Sequence, residues 1–213
     1  MIRAVISDFG GVLTSPLMAA FARLKEEHID VSGEAYGQAM AHALARDGVH
    51  PLFALERGEI TEAEFIERIE RGLEPVLGHA VSLHGFAARL MDALEPNQEL
   101  FDHFAALRRE RGLRFALCTN NVREWEPLWR PKLPIDDVFE VVVDSAFVGT
   151  RKPEPEIYAI TLDRLGLPAG ECAFLDDLEV NVEAARAAGM HGIVYRDDNA
   201  RAIAELGSLL GPA

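Results

Sequence analysis

The chain opens on Ile2, Ala4, Val5 and Ile6, a near-continuous apolar run that breaks at Gly10-Gly11. Such a run reads as a strand covered on both faces, as in a parallel sheet. Four later runs, at 114–118, 138–143, 172–175 and 192–195, have the same character. Apolar residues recur at helical spacing between them. Leu100, Phe101, Phe104 and Leu107 form a stripe that stops at Gly112. Pro155 is placed for a helix start, and Ile157, Ile160 and Leu165 continue it to Gly166. Residues 181–188 are alanine-rich and stop at Gly189. Strands alternating with helices predict right-handed crossovers and a doubly wound, mainly parallel, Rossmann-like α/β sheet.

The stretch from 16 to 94 breaks this alternation, because its periodicity is helical throughout. Leu17, Ala20, Phe21 and Leu24 recur on one face, as do Tyr36, Ala39, Met40, Ala43 and Leu44. Thr61-Glu62-Ala63-Glu64 is a capping box opening a helix through Phe65, Ile66, Ile69 and Leu73, and 81–94 predicts one more. The expected division is an α/β core of residues 1–15 plus 95–213, interrupted after its first strand by a helical insertion, 16–94. Composition supports a sizeable core, with 49% apolar residues in 213. The formal charge of −14, with only three lysines, disfavours nucleic acid and anionic membranes as partners. No apolar run approaches the ~20 residues of a membrane span, and the first residues enter a strand without the pattern of a signal peptide. Cys118 and Cys172 fall in predicted buried strands and read as inert core thiols. A cytoplasmic protein is the expectation.

Four short segments follow predicted strands, so all should border one crevice at the strands' C-terminal ends. They are Asp8 with Gly10-Gly11; Thr119-Asn120-Asn121; Gly149 to Pro155 with Lys152; and Asp176-Asp177, followed by Asn181. Singly, each has an ordinary reading as a turn, a helix cap or a solvated loop. Together they suit phosphoryl transfer. Asp8 is the candidate carboxylate nucleophile. Asp8, the Gly10 carbonyl and Asp177, with Asp176 in support, are candidate oxygen ligands for Mg²⁺. Asn181 would orient that site from one helical turn away. Thr119, Asn120 and the Gly10-Gly11 backbone can donate to phosphoryl oxygens, and Lys152 can supply positive charge and hold Asp8 ionised.

The order Asp8, Thr119, Lys152, Asp176-Asp177 resembles the four motifs of the haloacid dehalogenase-like hydrolase superfamily. The resemblance covers the chain, since 16–94 is similar to the family's helical cap. The chain is also similar to the phosphatase-like domain at the N-terminus of soluble epoxide hydrolases. It implies strand order 5-4-1-2-3 and a Mg²⁺-dependent phosphatase of small phosphorylated metabolites, working through an aspartyl-phosphate on Asp8. The family's first motif usually reads Asp-x-Asp-Gly, and its second aspartate is the general acid/base. Here that position is Gly10, which keeps a carbonyl for a metal but has no acid, so turnover on esters of poor leaving groups should be slow. Other readings stay open. A histidine among His28, His42, His50, His79 and His84 would replace the acid, against their simpler place on the surface or between helices. A dehalogenase needs no metal, which Asp176-Asp177 argues against. A phosphonate-cleaving enzyme would need Lys25 as a Schiff-base lysine, but Glu26 and Glu27 beside it suggest a solvated ammonium. A catalytically impaired binding or regulatory protein is the non-enzymatic reading. Trp125, Pro127, Leu128 and Trp129 are either an exposed contact, in a homodimer or with the cap, or helix packing.

Overall fold

The apolar run at 4–6 becomes the central strand of the sheet. The computed structural model describes residues 1–20, 23 and 31–211. Strand β1 (Ala4–Ser7) is wholly buried and lies between β2 (Arg114–Thr119) and β4 (Cys172–Asp176), with β3 (Val141–Asp144) and β5 (His191–Val194) at the edges. The order is β3-β2-β1-β4-β5 and every pairing is parallel. This is the order that the family resemblance implies, counted from the other edge.

Period-2 alternation divides the core between the two faces of the sheet. Ala4, Ile6, Ala116, Cys118 and Phe174 pack with Ile157 and Tyr158 of helix Pro155–Leu165 and with Val182 and Ala185 of helix Glu179–Ala187. Val5, Phe115, Leu117, Ala173 and Leu175 face the other way, toward Leu100, Phe101 and Phe104 of helix Gln98–Arg111 and Leu206 of helix Asn199–Leu210. Both cysteines are buried and free. The third strand starts later than its apolar run. Ile135–Val138 forms a helical turn, and Phe139 then turns inward against Phe101, Phe104 and Phe115. Burying an aromatic ring is worth roughly 1.5–3 kcal/mol, and here it takes Phe139 out of the ladder.

Between β1 and β2 the described residues are mainly helical. Helices α1 (Gly33–Asp47), α2 (Pro51–Glu56), α3 (Glu62–Leu77) and α4 (Phe86–Ala93) follow in order. Residues 17–20 are also helical, while Phe21 and Leu24, with Lys25, Glu26, Glu27 and His28, lie outside the described residues. The capping box at Thr61 is complete, with Thr61 and Glu64 each bonding the other's backbone. The predicted helix at 81–94 begins only at Phe86, because Gly85 in the left-handed region sets its start. The insert leaves the sheet at Thr14 and returns at Pro96, which form an isolated antiparallel bridge. Ser15 N–H donates to the Glu95 carbonyl at 2.8 Å and Asn97 N–H to that of Leu13 at 2.8 Å. Trp125 and Trp129 are buried, Trp129 completely and against the Phe9 ring at 4.9 Å, so the two rings belong to the packing, while Pro127 and Leu128 between them are exposed.

Helix α3 crosses α1 at Gly72, where an added Cβ would lie 2.6 Å from the Ala39 carbonyl oxygen and 3.1 Å from its Cα. Backbone cannot yield as a flexible side chain does. Gly72→Ala is therefore expected to lose about 1–3 kcal/mol, read as a lowered denaturation midpoint. An unchanged midpoint would refute the tight crossing.

At the end of β3, Asp144 is 5% exposed. One carboxylate oxygen accepts from the Ala146 N–H at 3.0 Å, and the other, Oδ2, has no partner among the described residues. Burial pushes its carboxyl from 3.8 up to about 7, against the Ala146 hydrogen bond and with help from Glu126. The folded protein thus keeps a proton that the unfolded chain would release. Its contribution to stability is complete below 3.8, falls as pH rises toward about 7, and is lost above that. Asp144→Asn should flatten the pH dependence of denaturant stability across this window and leave the protein more stable at pH 8. An identical pH slope in the two proteins would sink this.

Candidate active site

The sheet order brings the ends of β1, β2 and β4 side by side, and each ends on a polar residue. Asp8 extends the β1 ladder by one bond, its N–H donating to the Leu175 carbonyl at 2.8 Å. Its Oδ1 accepts from the Phe9 N–H at 2.7 Å. Asp176 closes β4, fully buried, and Asp177 follows, half-buried. Asp8, Asp176 and Asp177 each present an oxygen within 4.8 Å of the others.

Lys152 enters this group from the loop beyond β3. Its ammonium is 1% exposed and lies 2.7 Å from Asp8 Oδ1 and 2.7 Å from Asp176 Oδ2. Burial alone would discharge it, but Asp176 and Asp8 override that and raise its pKa. Burial raises the Asp8 carboxyl to about 7, Lys152 opposing and Asp176 and Asp177 adding to it. Asp177 is raised to about 6, by burial first and then by Asp176. Three carboxylates thus share a single ammonium, and the shortfall is one that a hard cation on oxygen ligands would remove.

The remaining predicted residues are placed unevenly. Thr119 is buried at the end of β2. The Asn120 side chain holds the Lys152 backbone by both ends of its amide: Oδ1 accepts from the Lys152 N–H at 2.7 Å and Nδ2 donates to the Lys152 carbonyl at 2.9 Å, which leaves its backbone N–H as its candidate donor to an anion. Asn181 reaches Asp176, its Nδ2 donating to Oδ1 at 2.9 Å, beside the Leu178 N–H on the same oxygen. The Tyr158 hydroxyl in turn donates to the Asn181 carbonyl. The two glycines of the first segment differ. Gly11 has φ +76°, and an added Cβ would lie 2.5 Å from Asp177 Oδ2, so only glycine lets the two loops meet. At Gly10 an added Cβ meets nothing within 4 Å.

Of the insert histidines, His42 meets the Gly72 carbonyl between helices and His50 stacks on Phe53, while His79 and His84 are exposed. Among the described residues none of them bonds to the carboxylate group. The insert does reach the site's border with residues that the sequence did not single out: Glu56, Arg57 and Phe53 touch the Lys152 loop. The Arg-Gly-Glu turn that follows α2 was the available sign.

The strand order, the four segments and their junction find a match among known proteins. Residues 2–189 match the model of the haloacid dehalogenase-like hydrolase family. The chain belongs to this family. It is 34% identical over 215 residues to acyl-CoA dehydrogenase family member 10 of Mus musculus, covering 98% of this chain and 19% of that protein. Bifunctional epoxide hydrolase 2 of Rattus norvegicus is 27% identical over 224 residues, 99% of this chain and 39% of that protein. The chain therefore spans a minor part of these two relatives. The phosphorylated carbohydrates phosphatase of Thermotoga maritima is 28% identical over 214 residues, 97% of this chain and 92% of its own length. Among solved structures, a HAD family enzyme of Bacteroides thetaiotaomicron superposes with a TM-score of 0.66 at 25% identity, covering 92% of this chain and 94% of that one. The same enzyme is also known in complex with magnesium and inorganic phosphate, at 23% identity, a TM-score of 0.64 and coverage of 92% and 95%. No helix among the described residues is long and apolar enough to cross a membrane.

Proposed function

We propose that this hydrolase is a Mg²⁺-dependent phosphatase of small phosphorylated metabolites, with Asp8 as nucleophile and the helical insert, 16–94, as a cap over the crevice. The observation that carries the reading is the buried ammonium of Lys152 between Asp8 and Asp176, with Asp177 beside them. The phosphatase among the relatives and the neighbour holding magnesium and phosphate support it.

Asp8, the Gly10 carbonyl and Asp177 would hold the cation, with Asp176 supporting and Asn181 fixing Asp176. A bound Mg²⁺ would neutralise the excess carboxylate charge and polarise the phosphoryl oxygens. Asp8 attacks phosphorus from the end of β1 and the substrate oxygen leaves. Water then releases phosphate from the carboxyl-phosphate and regenerates Asp8. Thr119 and the backbone N–H groups after it would donate to the phosphoryl oxygens, and Lys152 would meet their charge. Gly10 can neither protonate the leaving oxygen nor deprotonate water. Phosphate release from p-nitrophenyl phosphate should therefore depend on Mg²⁺ and stop in EDTA, with alkyl phosphates slower by ~10²–10⁴-fold. Equal rates on aryl and alkyl esters would refute the missing acid. No release from either, with or without Mg²⁺, would favour a binding protein.

A further inference from the structure

Lys152 is held by its neighbours as well as by the carboxylates, and those neighbours are gripped from the insert. Arg151, just before it, pairs with Glu56 at the end of α2, and each of these side chains is 13% exposed. The Arg151 guanidinium also lies over the Phe53 ring of the same helix, 4.0 Å from its centroid. Glu154, two residues after Lys152, pairs with Arg57, whose Nε donates to Glu154 Oε1 at 2.9 Å. The other oxygen of Glu154 accepts from the Thr150 hydroxyl at 2.9 Å and the Arg151 N–H at 3.1 Å, which closes the loop on itself. Just beyond, the turn at Gly58 abuts the core, where an added Cβ would lie 2.4 Å from the Ala146 carbonyl oxygen.

Each side presents one acid and one arginine to the other. Glu56 faces Arg151 and Arg57 faces Glu154, so this docking pairs opposite charges and an exchange of partners would set like against like. Like-charge contacts oppose misdocking. We propose that Glu56 and Arg57 are positioning residues for Lys152, acting through Arg151 and Glu154, so that seating the insert and presenting the ammonium are one event. This rests on Lys152 being the cation of the phosphate site proposed above.

The test uses the full chain with Glu56→Gln, Arg57→Gln and the exchanged pair Glu56→Arg with Arg151→Glu. Three quantities are read: amide hydrogen exchange at Arg151 and Lys152, calorimetric affinity for inorganic phosphate in Mg²⁺, and kcat and KM for p-nitrophenyl phosphate. Each single variant should speed exchange at 151–152 while β1 and β4 keep theirs, and should lower phosphate affinity and kcat roughly tenfold or more. The exchanged pair should return both to within about threefold of wild type. If wild type releases no phosphate but the variants still loosen 151–152 and weaken phosphate binding, the phosphatase reading fails and the positioning role holds. Unchanged exchange at 151–152, or single variants that keep phosphate affinity and kcat, would overturn the role, as would an exchanged pair no better than the singles.

Discussion

Asp8→Asn is expected to remove phosphate release, by on the order of 10³-fold or more in kcat. The amide has the size of the carboxylate and can still accept from the Phe9 N–H and the Lys152 ammonium. It has no anionic oxygen to attack phosphorus. The same change should leave the cation-free protein at least as stable, because burial already pushes the Asp8 carboxyl up to about 7 and Asp176 and Asp177 add to the crowding. Loss of turnover with an equal or higher melting temperature would be the signature of a group kept for chemistry at some cost to the fold. Turnover that survives in Asp8→Asn would show that another residue is the nucleophile.

Gly10→Asp is expected to raise turnover of alkyl phosphates by up to ~10²–10⁴-fold, with much less effect on p-nitrophenyl phosphate. An alkoxide is a poor leaving group without a proton, while p-nitrophenolate needs none. The position has room for a Cβ, with nothing within 4 Å of one, and the backbone there is not left-handed. Gly11 is the built-in contrast. Any Cβ there meets Asp177, and Gly11→Ala should impair aryl and alkyl turnover together. The decisive quantity is the ratio of alkyl to aryl kcat/KM in Gly10→Asp against wild type. An unchanged ratio would mean that the missing carboxylate does not limit the reaction.

Local rules carried much of this fold into view. Five apolar runs marked the strands, and Gly112, Gly166 and the capping box at Thr61 each do in the structure what their chemistry implies. Where the reading fell short, an element was short or a contact was distant. Helix α2 has six residues and no side-chain cap at His50, too little to carry a periodicity. Helix Asn199–Leu210 does carry local signs, since Asp198 caps it and Ala202, Leu206 and Leu210 recur every four residues on its buried face, but no strand follows among the described residues to frame it. Val138 and Phe139 look like strand residues because they are apolar and β-prone, and only the aromatic cluster around Phe104 shows why they are not. In the candidate site, residue types marked Asp8, Lys152 and Asp176-Asp177. The grip of Asn120 on the Lys152 backbone and the pairing of Glu56 with Arg151 join positions far apart in the chain, and no local pattern encodes such a pairing.

The stitched neck between Thr14 and Pro96 has a consequence for how the protein is made. Central strand β1 leaves the ribosome before its partners: β2 pairs Arg114 with Ala4, about 110 positions later, and β4 comes later still. During that delay a mostly apolar strand has no neighbour and is open to wrong ones. The neck shortens the problem. Once Ser15 meets Glu95 and Asn97 meets Leu13, the eighty-odd residues between them no longer count as slack, and β1 lies next to the helix that leads directly into β2. Asn97 ties the knot more firmly, with its side chain on the Val12 carbonyl and on Tyr195 and Asn199 beyond the last strand. A chain built this way can accept a larger, smaller or wholly different helical module between the same two points, because the sheet assembles across the neck and not through the module.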